Sequence, residues 1–313
     1  MTLLQLKYAL TIADAGSMNR AAEQLFTSQP TLTNAVKELE RESGIQIFNR
    51  SSRGVTVTAE GVEFLRYARQ VCQQYELLES KYSDKSNVKR KFGVSTQHYS
   101  FVDKAFVEMV KQFDTLRFDF AIRETKTTEV IQDVGEMRSE IGVLYQSDYN
   151  RKVISKLLRD NDLEFHKLID CHAYVYLWRG HPLANEASIT LEQLADYPCL
   201  SFEQGSQSSS FLAEEILPEN EYSRAIHTND RATMLNLMVG LNGFTLCSGI
   251  ICEELNGTNY VAVPYQEDDT NRNSTMEIGY ICKRGFTISE IGEVFLREIR
   301  RYLGLSTQGQ ADD

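Results

Sequence analysis

Between Ala21 and Glu40 the run AAEQLFTSQPTLTNAVKELE carries a helical pattern that stops and restarts within a few residues. Upstream, Leu3, Leu6, Leu10 and Ala13 fall at i, i+3, i+7 and i+10 on one face of a first helix, which Gly16 ends. Ser17 opens a short second helix, MNRAAEQL, whose Ala21, Ala22 and Leu25 are small enough for close helix packing. Thr27 or Ser28 can then accept a hydrogen bond from an unpaired backbone N–H at a new helix start. Pro30 lies in that first turn, where its missing N–H costs little. The chain turns here instead of breaking.

In the third helix Leu32, Val36 and Leu39 recur at i, i+4 and i+7 and predict a buried stripe. At about 100° per residue, Pro30, Asn34, Lys37 and Arg41 gather on the opposite side, with Gln29, Thr31 and Thr33 in the first turn and on the flank. Hydroxyls, amides and a lysine on one face suit base edges and phosphates, although a solvated helix shows the same chemistry. The following GIQIFNRSSRGVTVTAEG favours the first reading. Ile45/Ile47 and Val55/Val57 alternate around RSSRG, which predicts a two-stranded wing with Arg50 and Arg53 at its tip. A recognition helix followed by a basic wing is a winged helix-turn-helix.

The net charge of -11 argues against nucleic acid only if it is spread evenly. Residues 1–88 carry ten Lys/Arg against ten Asp/Glu, so the remainder, with 23 against 34, holds the whole deficit. A neutral module with a local basic face can still bind phosphate.

The segment A-A-x-x-L-x-x-S-Q-P-x-x-T-x-x-V-x-x-L-E-x-x-x-G-x-x-I-F-x-R, then R-G-V-x-V-T-A-E-G, resembles the DNA-binding signature of LysR-type transcriptional regulators across residues 1 to about 65. The resemblance implies that Gln29, Pro30, Thr31, Thr33, Asn34 and Lys37 line the major groove of promoter DNA while Arg50 and Arg53 grip flanking backbone. Thr33 stands where the family usually has serine, and Asn34 where a basic residue is frequent.

From Thr58, a suitable N-cap, AEGVEFLRYARQVCQQYELLESKYSD reads as one long helix. Leu65, Ala68, Cys72, Tyr75 and Tyr82 fall at heptad-like spacing, with Val71 and Leu78 broadening the stripe. It packs either on its own domain or, as the resemblance implies, in an antiparallel pair that makes a homodimer or homotetramer. SDKSNVKRK reads as a hinge.

Beyond Phe92 short apolar strands alternate with amphipathic helices: KFGVS, FDFAIRE, EIGVLY, HAYVYLW, PCLSFE, RAIHTN, FTLCSG, YVAVPY and MEIGYIC. Such alternation predicts an α/β architecture with parallel sheets. This part resembles the family's effector-binding domain, similar to periplasmic solute-binding proteins, with two lobes around a cleft and two crossing strands. RGHPLA, LEQLADYP and GLNGFTLCSG carry that likeness. The expected organisation is a winged helix-turn-helix at 1–58, a linker helix and hinge at 59–90, an effector-binding domain at 91–305 and a tail at 306–313. Lobe I takes 91–163 and 267–305, lobe II takes 164–266, and the crossings lie near 161–166 and 264–270.

Strand ends facing such a cleft offer Ser95, Thr96 and Gln97 after the first strand, Thr125 and Thr127 after the second, and Ser206 and Ser208 at a helix start across from them. Each can hold a ligand, with helix-start N–H groups favouring an anion, or can simply cap its helix. The STQ run resembles the first-strand motif of the regulators of sulfur assimilation in this family, which implies sulfate-like or acylated amino-acid effectors. Arg123 either turns inward as a counter-charge or pairs with Glu124 or Asp119.

No H-x-x-x-H, H-E-x-x-H, G-x-S-x-G, P-loop or G-x-G-x-x-G occurs, which argues against an enzyme. Six cysteines without a C-x-x-C indicate neither a zinc site nor a disulfide framework, so no metal or cofactor is expected. A thiol redox sensor within the family is the alternative, with Cys247 and Cys252 the closest pair. The absence of a leader or of eighteen consecutive apolar residues points to a cytoplasmic regulator with no membrane partner.

Overall fold

The computed structural model describes residues 1–51, 54–82, 89–113, 117–205, 210–266 and 275–305. The chain divides into two compact units, Met1–Val88 and Lys89–Asp313.

In the first unit, α1 (Leu3–Ala15) begins at a Thr2 cap reinforced by Gln5 and ends at Gly16 with φ 64°. Its buried residues are Leu6, Ala9 and Ile12, whereas Leu3, Leu10 and Ala13 are half-buried. The stripe is displaced because α1 packs against three helices at once, α2 (Met18–Gln24), α3 (Gln29–Ser43) and α4 (Ala59–Tyr82). Ser28 is the cap of α3: its hydroxyl accepts from the Thr31 N–H at 3.3 Å, and Pro30 occupies the first turn. Leu32, Val36 and Leu39 are fully buried.

The wing pairs β1 (Phe48–Ser51) with β2 (Gly54–Val57), Phe48 opposite Val57 and Ser51 opposite Gly54. Ile45 and Ile47 therefore precede the wing instead of belonging to it. Glu40 Oε1 accepts from the N–H groups of Ile47 (2.8 Å) and Phe48 (3.1 Å), which fixes the wing to α3. Thr58 caps α4 by accepting from the Gly61 N–H at 2.9 Å. A side chain on Gly61 would stand 2.3 Å from the Ile47 carbonyl oxygen, so the T-A-E-G run ends in glycine where α4 crosses that backbone.

The stripe read as one on α4 divides into two. Leu65, Ala68 and Cys72 are buried in the core of their own unit. Tyr67, Val71, Tyr75 and Leu78, at i, i+4, i+8 and i+11, form a separate exposed row. Helical periodicity groups neighbouring positions and does not say where one neighbour ends and the next begins.

The second unit contains β3 (Arg90–Thr96), α5 (Ser100–Lys111), β4 (Phe118–Glu124), α6 (Thr127–Gly135), β5 (Ile141–Gln146), α7 (Arg151–Asp160), β6 (Leu163–His172), β7 (Tyr174–Trp178), α8 (Leu191–Leu194), β8 (Cys199–Phe202), β9 (Ala225–Thr228), α9 (Arg231–Leu241), β10 (Thr245–Cys247), α10 (Glu253–Asn256), β11 (Tyr260–Pro264), β12 (Thr275–Lys283) and α11 (Glu290–Tyr302). One sheet has the order β4-β3-β5-β12-β6 and a second the order β10-β7-β11, while β8 and β9 pair beside it through a Cys199–Phe244 bridge. These are two α/β lobes, with helices covering sheets as the alternation required.

The first sheet is mixed and the second is antiparallel, where the alternation predicted parallel sheets. β3 runs parallel to β4 and β5, but β12 is antiparallel to β5 and β6, and β7 to β10 and β11. A strand that returns from the second lobe enters the first sheet from the far end and must run against its neighbours. The first change of sheet comes at Ala173, since β6 stays paired with β12 as far as His172. Assigning residues from 164 onward to lobe II therefore removes from lobe I a strand that its sheet contains. The second passage lies between Pro264 and Thr275, largely outside the described residues. Phe92, Phe101 and Phe295 in the first lobe share one core with Val175, Phe244 and Leu246 in the second. Among the described residues no helix is long and apolar enough to cross a membrane.

Candidate DNA face and inter-lobe site

Gln29, Pro30, Thr31, Asn34 and Lys37 are exposed on α3, and Thr33 is half-buried. Three of these side chains are already oriented: Gln29 Nε2 donates to Thr33 Oγ1 at 2.9 Å, and Thr31 Oγ1 lies 2.7 Å from Ser28 Oγ. Arg50 is exposed on β1, whereas Arg53 lies outside the described residues. Phe26 was missed. It is 98% exposed with φ 50° in the turn before α3. Its only trace in sequence is an aromatic residue at a turn where the backbone needs a left-handed residue.

Of the inter-lobe candidates, Ser95, Thr96 and Gln97 are fully buried. Ser95 Oγ donates to Asp133 at 2.6 Å and lies 2.8 Å from Ser139 Oγ. Thr96 Oγ1 donates to the Gln97 carbonyl at 2.7 Å. Gln97 Nε2 donates to Thr127 Oγ1 (2.6 Å), and its Oε1 accepts from the Tyr145 N–H (3.1 Å) and Tyr99 OH (3.0 Å). Thr127 reaches the second lobe, its hydroxyl donating to the Leu212 carbonyl (2.8 Å) and its N–H to Gln204 Oε1 (3.1 Å). Thr125 donates to Glu129, and Arg123 to Ser139 Oγ at 3.2 Å. Ser206 and Ser208 lie outside the described residues. The fold thus brings Gln97 and Thr127 together, but partners within the chain occupy their polar atoms.

A backbone N–H two residues ahead of α5 does hold a carboxyl group, and the chain supplies it. Glu214 Oε2 accepts from the His98 N–H at 2.9 Å and lies 2.8 Å from His98 Nδ1, while Glu214 Oε1 accepts from Gln204 Nε2 at 2.9 Å. The imidazole stacks on Phe202 with ring centroids 3.7 Å apart. Beside it, Glu215 Oε1 accepts from the Phe202 N–H at 2.7 Å, and burial, with Glu214 adjacent, pushes the Glu215 carboxyl up to about 8. Thr228 Oγ1, at the end of β9, is buried without a hydrogen-bond partner among the described residues. Two ion-pair sets also join the lobes: Arg231 with Asp103 (2.7 Å) and Glu124, and Lys104 with Glu254 (2.7 Å). His98, Gln204, Glu214 and Thr228 were not foreseen, since only an acidic pair inside an apolar run, AEEIL, hints at buried carboxylates.

A thiol-based sensor needs a thiolate near neutral pH. Burial pushes the Cys171 thiol up to about 11 and those of Cys247 and Cys282 up to about 12, and it also raises Cys72 and Cys199. Five of the six thiols therefore lack the activation that such chemistry requires.

Residues 3–62 match the family described as bacterial regulatory helix-turn-helix protein, lysR family, and residues 100–304 match the LysR substrate binding domain. The HTH-type transcriptional regulator AlsR of Bacillus subtilis (strain 168) is 26% identical over 205 residues, 64% of this chain and 64% of AlsR, so the match spans a little under two thirds of that relative. The transcriptional activator CmpR of Synechocystis is 24% identical over 70% of this chain and 69% of its own. Full-length OxyR from Pseudomonas aeruginosa has the same fold, with a TM-score of 0.69 over 100% of this chain and 99% of its own at 20% identity. These relatives are named as regulators, not as enzymes. A helix-turn-helix followed by a two-lobed α/β unit, each matched over its length, makes this chain a member of the LysR family of bacterial transcriptional regulators.

Proposed function

We propose that this cytoplasmic regulator binds an inverted-repeat promoter site as a homo-oligomer, and that a small anion displacing the Glu214 carboxylate alters its DNA contacts. The observation that carries the effector reading is the Glu214 carboxylate itself, seated on the His98 N–H two residues before α5 begins. A seat that accepts one carboxylate has the donors for another, and sulfate-like or acylated amino-acid anions offer the same acceptor oxygens. The Thr228 hydroxyl, buried at the end of β9 without a hydrogen-bond partner among the described residues, supports this. For the oligomer, the exposed row Tyr67, Val71, Tyr75 and Leu78 on α4 supports a helix pair, because four apolar side chains in line gain most by covering one another. The exposure of Gln29, Pro30, Thr31, Asn34 and Lys37 on α3 and of Arg50 on the wing supports the DNA contacts assigned to them, with Thr33 half-buried beside them and Arg53 outside the described residues.

Calorimetric titration of the full chain with sulfate, short carboxylates, acylated amino acids and neutral and aromatic compounds tests the effector. At least one anion should bind, and Glu214→Gln should tighten it by roughly tenfold because the internal competitor loses its charge. Binding confined to neutral or aromatic compounds, or affinity indifferent to Glu214→Gln, would remove the proposal.

A further inference from the structure

Among the described residues β6 is the edge strand of the first sheet and pairs only with β12. In their register Glu164 stands opposite Cys282 and His166 opposite Tyr280, so Glu164, His166 and Cys282 project from one face of the sheet. Their donor atoms converge. Glu164 Oε1 lies 3.3 Å from His166 Nε2 and 3.8 Å from Cys282 Sγ, and all three atoms lie within 4.8 Å of one another. The His166 ring is held flat against Tyr280, with centroids 4.7 Å apart, yet its Nε2 is shielded from solvent and makes no hydrogen bond among the described residues.

From this geometry we propose a transition-metal site, of the zinc type, made by Glu164, His166 and Cys282. Tetrahedral zinc with bonds of about 2.0–2.3 Å to oxygen, nitrogen and sulfur places its ligand atoms roughly 3.3–3.6 Å apart. The Glu164–His166 separation already meets that, the Glu164–Cys282 separation needs a small contraction, and the His166–Cys282 pair, within 4.8 Å, must close by at most about 1.2 Å. One oxygen, one imidazole nitrogen and one sulfur suit zinc or cobalt and do not suit magnesium or calcium, which take oxygen alone. Nε2, 3.3 Å from the Glu164 carboxylate and without a hydrogen bond among the described residues, gains a coordination bond. Three protein donors leave one position for water, and on binding the Cys282 thiol passes its proton to solvent as the metal–sulfur bond forms. Sequence spacing could not reveal the site, since Glu164 and Cys282 are 118 residues apart on two strands. Once bound, the metal ties the edge strand to β12 at the end where β6 begins, far along the strand from the passage at Ala173.

Titration of the reduced full chain with cobalt(II) tests the proposal. The expected result is one cobalt per chain, with the visible bands of tetrahedral coordination, a near-ultraviolet thiolate-to-cobalt band, and about one proton released per metal. Cys282→Ser should abolish the thiolate band, and His166→Gln should weaken cobalt at least roughly tenfold. Cys171→Ser, which removes a buried thiol outside the cluster, should leave the spectrum unchanged. His166 is partly exposed, so its variant keeps the test meaningful if Cys282→Ser fails to fold. No thiolate band in the wild-type chain, or one that survives both Cys282→Ser and His166→Gln, would overturn the site.

Discussion

Glu215 should make the protein less stable as pH rises, and Glu215→Gln should remove most of that dependence. The carboxyl is buried beside Glu214, which holds it near 8 instead of the ordinary 4.5. In the unfolded chain Glu215 loses its proton near 4.5, whereas in the folded chain it keeps it until about 8. Between those values the folded state binds more protons, so folding stability from this group is fully present below the lower value and is lost as pH climbs through the higher one. The gap is worth at most roughly 5 kcal/mol at about 1.4 kcal/mol per pKa unit. The value near 8 already includes the opposing pull of His98 and the Phe202 N–H, and relaxation around the two acids reduces the loss to the order of 3 kcal/mol. Glutamine keeps an oxygen to accept from Phe202 but cannot ionise. Urea unfolding, followed through the single tryptophan, Trp178 in β7, reads the second unit directly. Other groups titrate in both proteins, so the wild-type value minus the variant value at each pH is the measurement. That difference should fall by a few kcal/mol between about pH 5 and pH 9. Parallel curves would show that Glu215 is not held neutral, and the account of the inter-lobe acids would fail with it.

On the DNA side, Asn34→Ala and Lys37→Ala should change which sequence is preferred, while Arg50→Ala should weaken all duplexes alike and lower the salt slope by about one; a changed base preference in Arg50→Ala would place the wing on base edges instead. Val71→Glu with Leu78→Glu should give smaller species in sedimentation at unchanged unfolding midpoint, because both side chains are exposed. Leu65→Ala should instead cost about 2–5 kcal/mol of stability in the first unit, since Leu65 is buried in that unit's own core; a purely oligomeric effect there would contradict the division of α4 into two faces.

How much of this was legible depended on how local the information was. α3 could be read outright because its cap, its proline and its Leu32–Val36–Leu39 stripe sit within a dozen residues of one another, and burial confirms that stripe. The strands of the second unit were legible as apolar runs for the same reason. β6 was not, because LEFHKLIDCH mixes apolar and charged residues along an edge strand that is only partly covered. On α4 the periodicity was visible, but Leu65 and Val71 differ only in which surface covers them, and that is a property of packing.

The inter-lobe site marks the limit more sharply. The turn into α5 favours negative charge, since a helix N-terminus carries partial positive charge and the His98 N–H lies two residues ahead of it. That much could be read from STQHYS. What fills the place depends on Glu214, which lies 116 residues from His98, and on Gln204, whose amide orients the same carboxylate. The same contact also changes what an effector must do. An open seat would bind an anion for the full strength of its hydrogen bonds, whereas a seat held by Glu214 yields only the difference between two carboxylates, plus whatever the displaced segment gains or loses by moving. On the proposed reading, an anion that binds here is coupled to the second-lobe segment carrying Glu214, whose neighbour Glu215 is bonded to the Phe202 N–H. A ligand that competes with a side chain moves that side chain, and such competition is what converts occupancy into a change of shape.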